Sequence, residues 1–517
     1  MKRAALFVAC ALLGSISTSA PADTRTSSQI LHLLEASLAA GEGIPAEVLL
    51  RQYLEQAPRT SRAVELEVLA RYYSGDYAGA ADGVAELRQE TRLPTSLGAL
   101  ADVIVDTYDT TKAYETFSYE DFEVRYAPGQ DEVLVPYAID TMKAASRALE
   151  AELGVKMVST VRLEIYPDAE SLARVSTLSL EAIRKTGTIA LCKWGRLMIV
   201  SPAALMHGYP WLDTIAHEYV HLLVTKVSLD HAPVWLQEGL AKFLETRWRK
   251  DKPSLRNDPA SNQLLYDAVQ ANELLNFDQL HPSIALLPTQ KAAALAFAQV
   301  SSFIAMYYRE YGREGVQRAL RRIGGGEDAR KALAHVAGVA WKTLETRWKR
   351  ALKAEPKPPP ARLMPRYLSD EASEPDELAG VEIKRARKYV RLADLLWTRS
   401  RPAAASVEYA KAHAVAPDDP VVASRYARSA IAGGRPAEAI GPLLRTLQRY
   451  PTHEPALSSL ATAQFRLSNL SAAEKAANQA IAQNPFDPQP HCILSKLPLP
   501  QADHEALLCS RLGGMRE

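Results

Sequence analysis

His217-Glu218-Tyr219-Val220-His221, followed by Trp235-Leu236-Gln237-Glu238-Gly239-Leu240-Ala241, decides the reading of this chain. On an α-helix of about 3.6 residues per turn, two histidines four apart lie on one face and can hold one metal ion. Glu218, one step round the helix, then points beside that ion, where a carboxylate can take a proton from bound water. By chance the five-residue motif turns up in roughly one chain of this length in a hundred, so its surroundings carry the weight. They are apolar and helical over residues 211–227, with Leu212, Ile215, Ala216, Tyr219, Val220, Leu223 and Val224 at helical spacing. A second helical pattern over 234–248 follows a break at Asp230-His231-Ala232-Pro233 and carries Glu238 one turn into it. Two histidines and one carboxylate leave a fourth tetrahedral position open for water, the arrangement that catalytic zinc needs.

These residues, with their neighbours, carry a resemblance. The run 123–352 resembles the peptidase MA family of metallohydrolases, in its gluzincin group. There the two histidines of H-E-x-x-H and a glutamate from a W-L-x-E-G-L-A helix bind zinc. Thr188-Ile189-Ala190-Leu191-Cys192, Ser201-Pro202-Ala203-Ala204-Leu205, Pro233-Val234-Trp235-Leu236-Gln237-Glu238-Gly239 and His281-Pro282-Ser283 stand where that family's blocks are expected. The resemblance implies that His217, His221 and Glu238 ligate one Zn2+ per chain and that Glu218 is the general base of peptide hydrolysis. It also implies that an edge strand pairs with an extended substrate, a role assigned to Arg196, Leu197, Met198, Ile199 and Val200. It names no substrate.

Ligand histidines usually donate their second N–H to a carboxylate or carbonyl. Asp213, one turn before His217, and Glu245, two turns after Glu238, are the candidates. For the group that stabilises the oxyanion, His231, His281, Tyr209 and the Tyr307-Tyr308 pair are open, with His281 preferred for its place in the His281-Pro282-Ser283 block. Phe297 stands where some relatives have a tyrosine.

The chain of 517 residues is long enough for two to four domains, and 47% apolar content supports sizeable cores. A net charge of +1, from 61 basic and 60 acidic residues, gives no pull toward nucleic acid or anionic membrane. Residues 1–22 have the three parts of a secretory signal: Lys2 and Arg3, an apolar core over 4–16, and a small-residue end at Ala20-Pro21-Ala22. That core is short of the ~20 residues a spanning helix needs. The expectation is a soluble exported protein, most simply in a bacterial periplasm, with no transmembrane segment. Export permits disulfides. Cys492 and Cys509 bracket a short C-terminal loop and can pair, while Cys192 reads as a small packed residue in a strand.

Residues 23–115 read as helical, with one helix–turn–helix unit over 70–87 turning at Gly75-Asp76-Tyr77. The catalytic region, 119–352, alternates strands with helices. Strand patterns lie at 122–126 and 161–166, a helix over 135–153 ends at Gly154, and a hairpin turns at Trp194-Gly195. A Pro-rich linker at 353–380 closes that region and separates it from the C-terminal part of the chain. There, Pro417, Pro451 and Pro485 are spaced 34 apart, as are Ala393, Ala427 and Ala461, and Ala405, Ala439 and Ala473. Three columns in step at 34 residues match the tetratricopeptide repeat, where alanines let paired helices approach and proline ends the second. Repeats are placed at 386–417, 420–451 and 454–485 within a solenoid over 384–490, leaving 491–517 as a tail.

The expected fold is therefore α+β. A gluzincin-like zinc peptidase domain lies between a helical N-terminal region and an all-α repeat solenoid that recruits a peptide or protein substrate or a protein partner. The alternative is a non-catalytic repeat scaffold around a peptidase-like domain.

Overall fold

A computed structural model describes residues 26–39, 43–89, 97–280, 283–364 and 376–513. The expected signal segment, residues 365–375 of the expected linker and His281 lie outside the described residues.

Five helices open the described chain: α1 (Ser27–Ala39), α2 (Gly43–Gln56), α3 (Ser61–Ser74), α4 (Tyr77–Gln89) and α5 (Gly98–Thr111). The α3–α4 unit turns where the sequence places it. Gly75 ends α3 in the left-handed conformation (φ 92°), which costs a glycine least, and its N–H caps the Arg71 and Tyr72 carbonyls.

A five-stranded mixed sheet comes next, made of β1 (Glu115–Tyr119), β2 (Phe122–Tyr126), β3 (Val161–Tyr166), β4 (Ala190–Lys193) and β5 (Arg196–Val200), in the order β1-β2-β3-β5-β4. The outer pairs are antiparallel and the inner pairs, β2–β3 and β3–β5, are parallel. Every residue of β3 and β5 is buried, as strands covered on both faces should be. This placement corrects the expected substrate edge. Arg196, Leu197, Met198, Ile199 and Val200 form an interior strand paired on both sides, and the free edge belongs to β4. β1 is exposed along its whole length, so no alternation marks it in the sequence.

The sheet is covered by α6 (Val135–Leu153), which ends at left-handed Gly154 and packs on β2, and by the short helix α7 (Ala169–Arg174), which packs on β3 and β5; α8 (Leu180–Thr186) follows and packs on α7. After them come α9 (Trp211–Ser228), α10 (Val234–Leu244), α11 (Pro259–Ala271), α12 (Gln290–Gly324), α13 (Ala329–Ala337) and α14 (Trp341–Ala354). α12 bends at Gly312, whose φ of 66° and ψ of −176° interrupt its helical backbone.

The N-terminal helices are fastened to the sheet through a buried charge cluster. The guanidinium of Arg196 lies 3.2 Å from the Glu164 carboxylate, both fully buried, and donates to the Tyr72 hydroxyl at 2.9 Å. The Tyr77 and Tyr166 hydroxyls donate to the same carboxylate. Arg196 is thus a structural anchor between α3, α4 and the sheet.

Helical hairpins complete the chain: α15 (Lys384–Thr398) with α16 (Pro402–Val415), α17 (Pro420–Ala432) with α18 (Pro436–Arg449), and α19 (Glu454–Arg466) with α20 (Leu470–Ile481). The second helices start 34 residues apart, and all six alanines of the repeating columns are fully buried between helices. A fourth pair, α21 (Pro488–Leu494) and α22 (Ala502–Arg511), is joined by the Cys492–Cys509 disulfide.

These hairpins dock on the region that holds the sheet and α9. Tyr209 N–H donates to the Gln483 carbonyl at 2.9 Å, Trp211 Nε1 to the Ile481 carbonyl at 3.1 Å, and the Tyr137 hydroxyl to Glu505 at 3.1 Å. Gly208 makes the approach possible: a Cβ there, at a φ of +62°, lies 2.0 Å from the Gln483 carbonyl oxygen. No helix among the described residues is long and apolar enough to cross a membrane.

Candidate metal centre

α9 carries His217, Glu218 and His221 within a run of buried residues, so its polar face is enclosed by protein. The chain leaves α9 through left-handed Leu229 and Asp230 (φ 50° and 60°) and re-enters helix at Val234 behind Pro233. That tight reversal lays α10 beside α9. Gly239 then seats α10 on α12, since a Cβ there meets Ile304 Cγ1 at 2.9 Å and the Val300 carbonyl at 3.1 Å. The glycine after Glu238 therefore sets the depth at which that carboxylate enters the site.

The carboxylate arrives where the spacing places it. Glu238 Oε2 lies 3.3 Å from His217 Nε2 and 3.4 Å from His221 Nε2, and the two rings stand edge to face with centroids 5.0 Å apart. A ligand atom of Glu218 falls within 4.8 Å of both imidazoles. Glu218 is buried, which pushes its carboxyl above the ordinary range against the pull of the histidines, and it accepts the backbone N–H of Cys192 on β4. The base candidate is thereby tied to the free strand edge.

Glu245 is the partner of His217: its carboxylate lies 3.3 Å from Nδ1 and accepts from Lys242 Nζ at 2.6 Å. Asp213 is not a partner of either histidine. α10 ends at Leu244, short of the expected residue 248, and the turn after it brings Trp248 Nε1 (3.0 Å) and the Arg249 guanidinium (2.6 and 2.7 Å) onto Asp213.

The charge balance fits a divalent cation. Burial disfavours a charged imidazole at His217, yet the carboxylates of Glu238, Glu245 and Glu218 around it raise it to about 10. Burial likewise opposes ionisation of Glu238, but His221 and His217 hold its carboxyl well below the usual range. Glu245 is held down to about 2 against its burial by Lys242 and His217. Carboxylates and imidazole nitrogens converging in a buried pocket call for positive charge, and two Nε2 atoms with one carboxylate oxygen form a zinc donor set.

Several oxyanion candidates have their hydroxyls engaged elsewhere. Tyr209 donates to the Val200 carbonyl, Tyr307 to the Leu333 carbonyl at 3.2 Å, and Tyr308 to Glu152. His231 is exposed. Phe297 packs edge to face on His217 at 6.2 Å and brings no hydroxyl.

The centre opens into a cleft of about 1610 Å3. Sequence reasoning missed its breadth. Besides α9, α10 and β4, it is lined by Tyr73 of α3 and by Tyr450, His453, Glu454 and Gln483 of the repeats.

Residues 141–354 match the profile of the Peptidase MA superfamily. This segment is a Peptidase MA superfamily domain. No curated protein matches the chain. Among solved structures, native leukotriene A4 hydrolase of Saccharomyces cerevisiae is similar at 12% identity and a TM-score of 0.31, covering 78% of this chain and 67% of that one. The yeast enzyme in complex with bestatin is similar at 11% identity and a TM-score of 0.28, over 77% and 67%. The peptidase MA domain thus spans the whole α9–α10 centre, and the superfamily match and the donor geometry point the same way.

Proposed function

We propose that the protein is an exported zinc-dependent metallopeptidase that hydrolyses peptide bonds in the α9–α10 cleft. The observation that carries this reading is the convergence of His217, His221 and Glu238 at 3.3–3.4 Å, with Glu218 alongside, in a cleft of about 1610 Å3. His217 Nε2, His221 Nε2 and Glu238 Oε2 are the atoms that would hold Zn2+. Bound there, zinc supplies Lewis acidity that lowers the pKa of water toward ~7 and polarises a peptide carbonyl.

The rest of the chemistry belongs to the chain. Glu218 takes the proton of the attacking water at its carboxylate and passes it to the leaving amine. Cys192 N–H holds that carboxylate in place. Its burial raises its proton affinity above that of an ordinary carboxylate. Glu245 fixes the ring of His217 from the far side. The free edge of β4 offers an extended chain a strand to pair with. The Cys492–Cys509 pair supports an oxidising compartment and hence export.

Zinc analysis of the purified protein, followed by incubation of wild type and Glu218→Gln with unfolded proteins and cell-wall peptides, tests the reading. The expectation is one zinc in both proteins and a loss of cleavage of about 10^2 to 10^4-fold in the variant. Zinc binding with no cleavage by wild type across the panel favours a non-catalytic repeat scaffold.

A further inference from the structure

The repeats are not a separate arm beside the catalytic domain. The α20–α21 turn is bonded to the segment that starts the metal-binding helix, through Tyr209 to Gln483 and Trp211 to Ile481. The same seam continues through His207, whose ring lies 6.4 Å from that of His453, the residue before Glu454. Where the two units meet, the cleft wall is made by the α19–α20 hairpin.

That wall carries two polar side chains, each with one unpartnered acceptor oxygen. Glu454, at the start of α19, and Gln483, at the end of α20, are 5% and 7% exposed and both line the cleft. Glu454 Oε1 and Gln483 Oε1 are buried and have no hydrogen-bond partner. Leaving a buried acceptor unpaired is costly, so two such atoms on one cleft wall mark a place where a ligand completes the structure. Both atoms are acceptors. Asp487, which caps α21 and accepts from Ser458 Oγ at 2.5 Å, adds a second carboxylate beside Glu454. Burial, together with Asp487, lifts the Glu454 carboxyl well above the ordinary range, so a cation arriving there replaces a proton. A group that only donates and carries positive charge suits such a seat: the ammonium of lysine or the guanidinium of arginine.

We infer that the seam between the α19–α20 hairpin and the peptidase MA domain is a substrate subsite for a lysine or arginine side chain. Glu454 and Gln483 act as specificity determinants remote from the reacting atoms. The inference rests on the peptidase reading for its cleavage register, while the seat itself is independent of turnover.

The test uses full-length protein and sets of peptides identical except at one position, which is moved residue by residue away from a central bond on either side. That position holds lysine, arginine, citrulline or norleucine. Binding is read by fluorescence anisotropy on Glu218→Gln, and cleavage on the wild type by mass spectrometry. Lysine and arginine peptides are expected to bind roughly tenfold or more tighter than the citrulline and norleucine ones. Adding Glu454→Gln or Gln483→Met is expected to shrink that gap to within about twofold while norleucine binding stays unchanged. No preference for the cations, equal preference for citrulline, or a preference untouched by both substitutions overturns the subsite. Gln483→Met carries the test if Glu454→Gln lowers the melting transition. Glu454-dependent binding without any cleavage by wild type sinks the peptidase reading and leaves the subsite standing. Cleavage indifferent to charge does the reverse.

Discussion

Glu245 and His217 form a pair across the α9–α10 junction: a carboxylate oxygen lies 3.3 Å from Nδ1, while Nε2 of the same ring faces Glu238 at 3.3 Å. The imidazole is thereby fixed with Nε2 toward the centre. Removing such an outer partner typically costs 10–100-fold in metal affinity. Glu245→Ala is expected to weaken zinc binding by about that factor, read by titration against a competing chelator. Asp213→Ala, on the same helix but bonded to Arg249, leaves zinc affinity within about twofold.

Gly239 sets how deeply α10 lies on α12. Gly239→Ala drives a methyl against Ile304 and the Val300 carbonyl, so overpacking costs about 1–3 kcal/mol. Because Glu238 is its neighbour, zinc affinity falls together with the unfolding midpoint. A variant that loses stability but keeps full zinc affinity contradicts this coupling.

The Arg196–Glu164 pair is fully buried, and removing one partner leaves an uncompensated charge at a cost of about 3–5 kcal/mol. Glu164→Leu is expected to lower the denaturant midpoint of the catalytic region. Glu164→Leu with Arg196→Met recovers part of the loss, because it removes both charges but leaves the Tyr77 and Tyr166 hydroxyls without their acceptor. Equal destabilisation by single and double variants argues against the pairing.

Asp131 links the start of α6 to the end of β5. Burial pushes its carboxyl up to about 6, only partly offset by the Ser201 hydroxyl that donates to it at 2.7 Å. The folded chain keeps this proton up to about pH 6, whereas the unfolded chain loses it near 3.8. The contribution to stability is therefore complete below pH 4 and lost as pH rises to 6, about 3 kcal/mol at 1.36 kcal/mol per unit. Asp131→Asn removes this dependence. Its stability relative to wild type is expected to rise between pH 4 and pH 7 in chemical unfolding.

Cys492 and Cys509, 17 residues apart, close the terminal hairpin. In the same hairpin Glu505 meets His491 at 2.6 Å and Tyr137 of α6 at 3.1 Å. Opening a loop of this size releases roughly 3 kcal/mol of constraint on the unfolded chain. Reduction is expected to expose the α21–α22 region to proteolysis before the peptidase MA domain. Simultaneous cleavage of both regions argues against this order.

What the sequence determined by itself is whatever depends on local period. The spacing of four between histidines places both on one face of α9, the left-handed glycines end α3 and α6, and buried alanines at 34-residue intervals set the hairpins. Glu238 was legible because its helix comes after only a short loop. Tertiary structure decided what depends on pairing between distant segments. Whether β5 or β4 is the edge turns on β5 pairing with β3, more than thirty residues earlier, and apolar strands look alike at an edge or in the middle. Asp213 and Glu245 are equivalent candidates on paper. The early end of α10 alone gives Glu245 to His217 and Asp213 to Arg249. The repeats' share of the cleft rests on one close backbone approach at Gly208, a contact between residues 275 apart that no periodicity encodes.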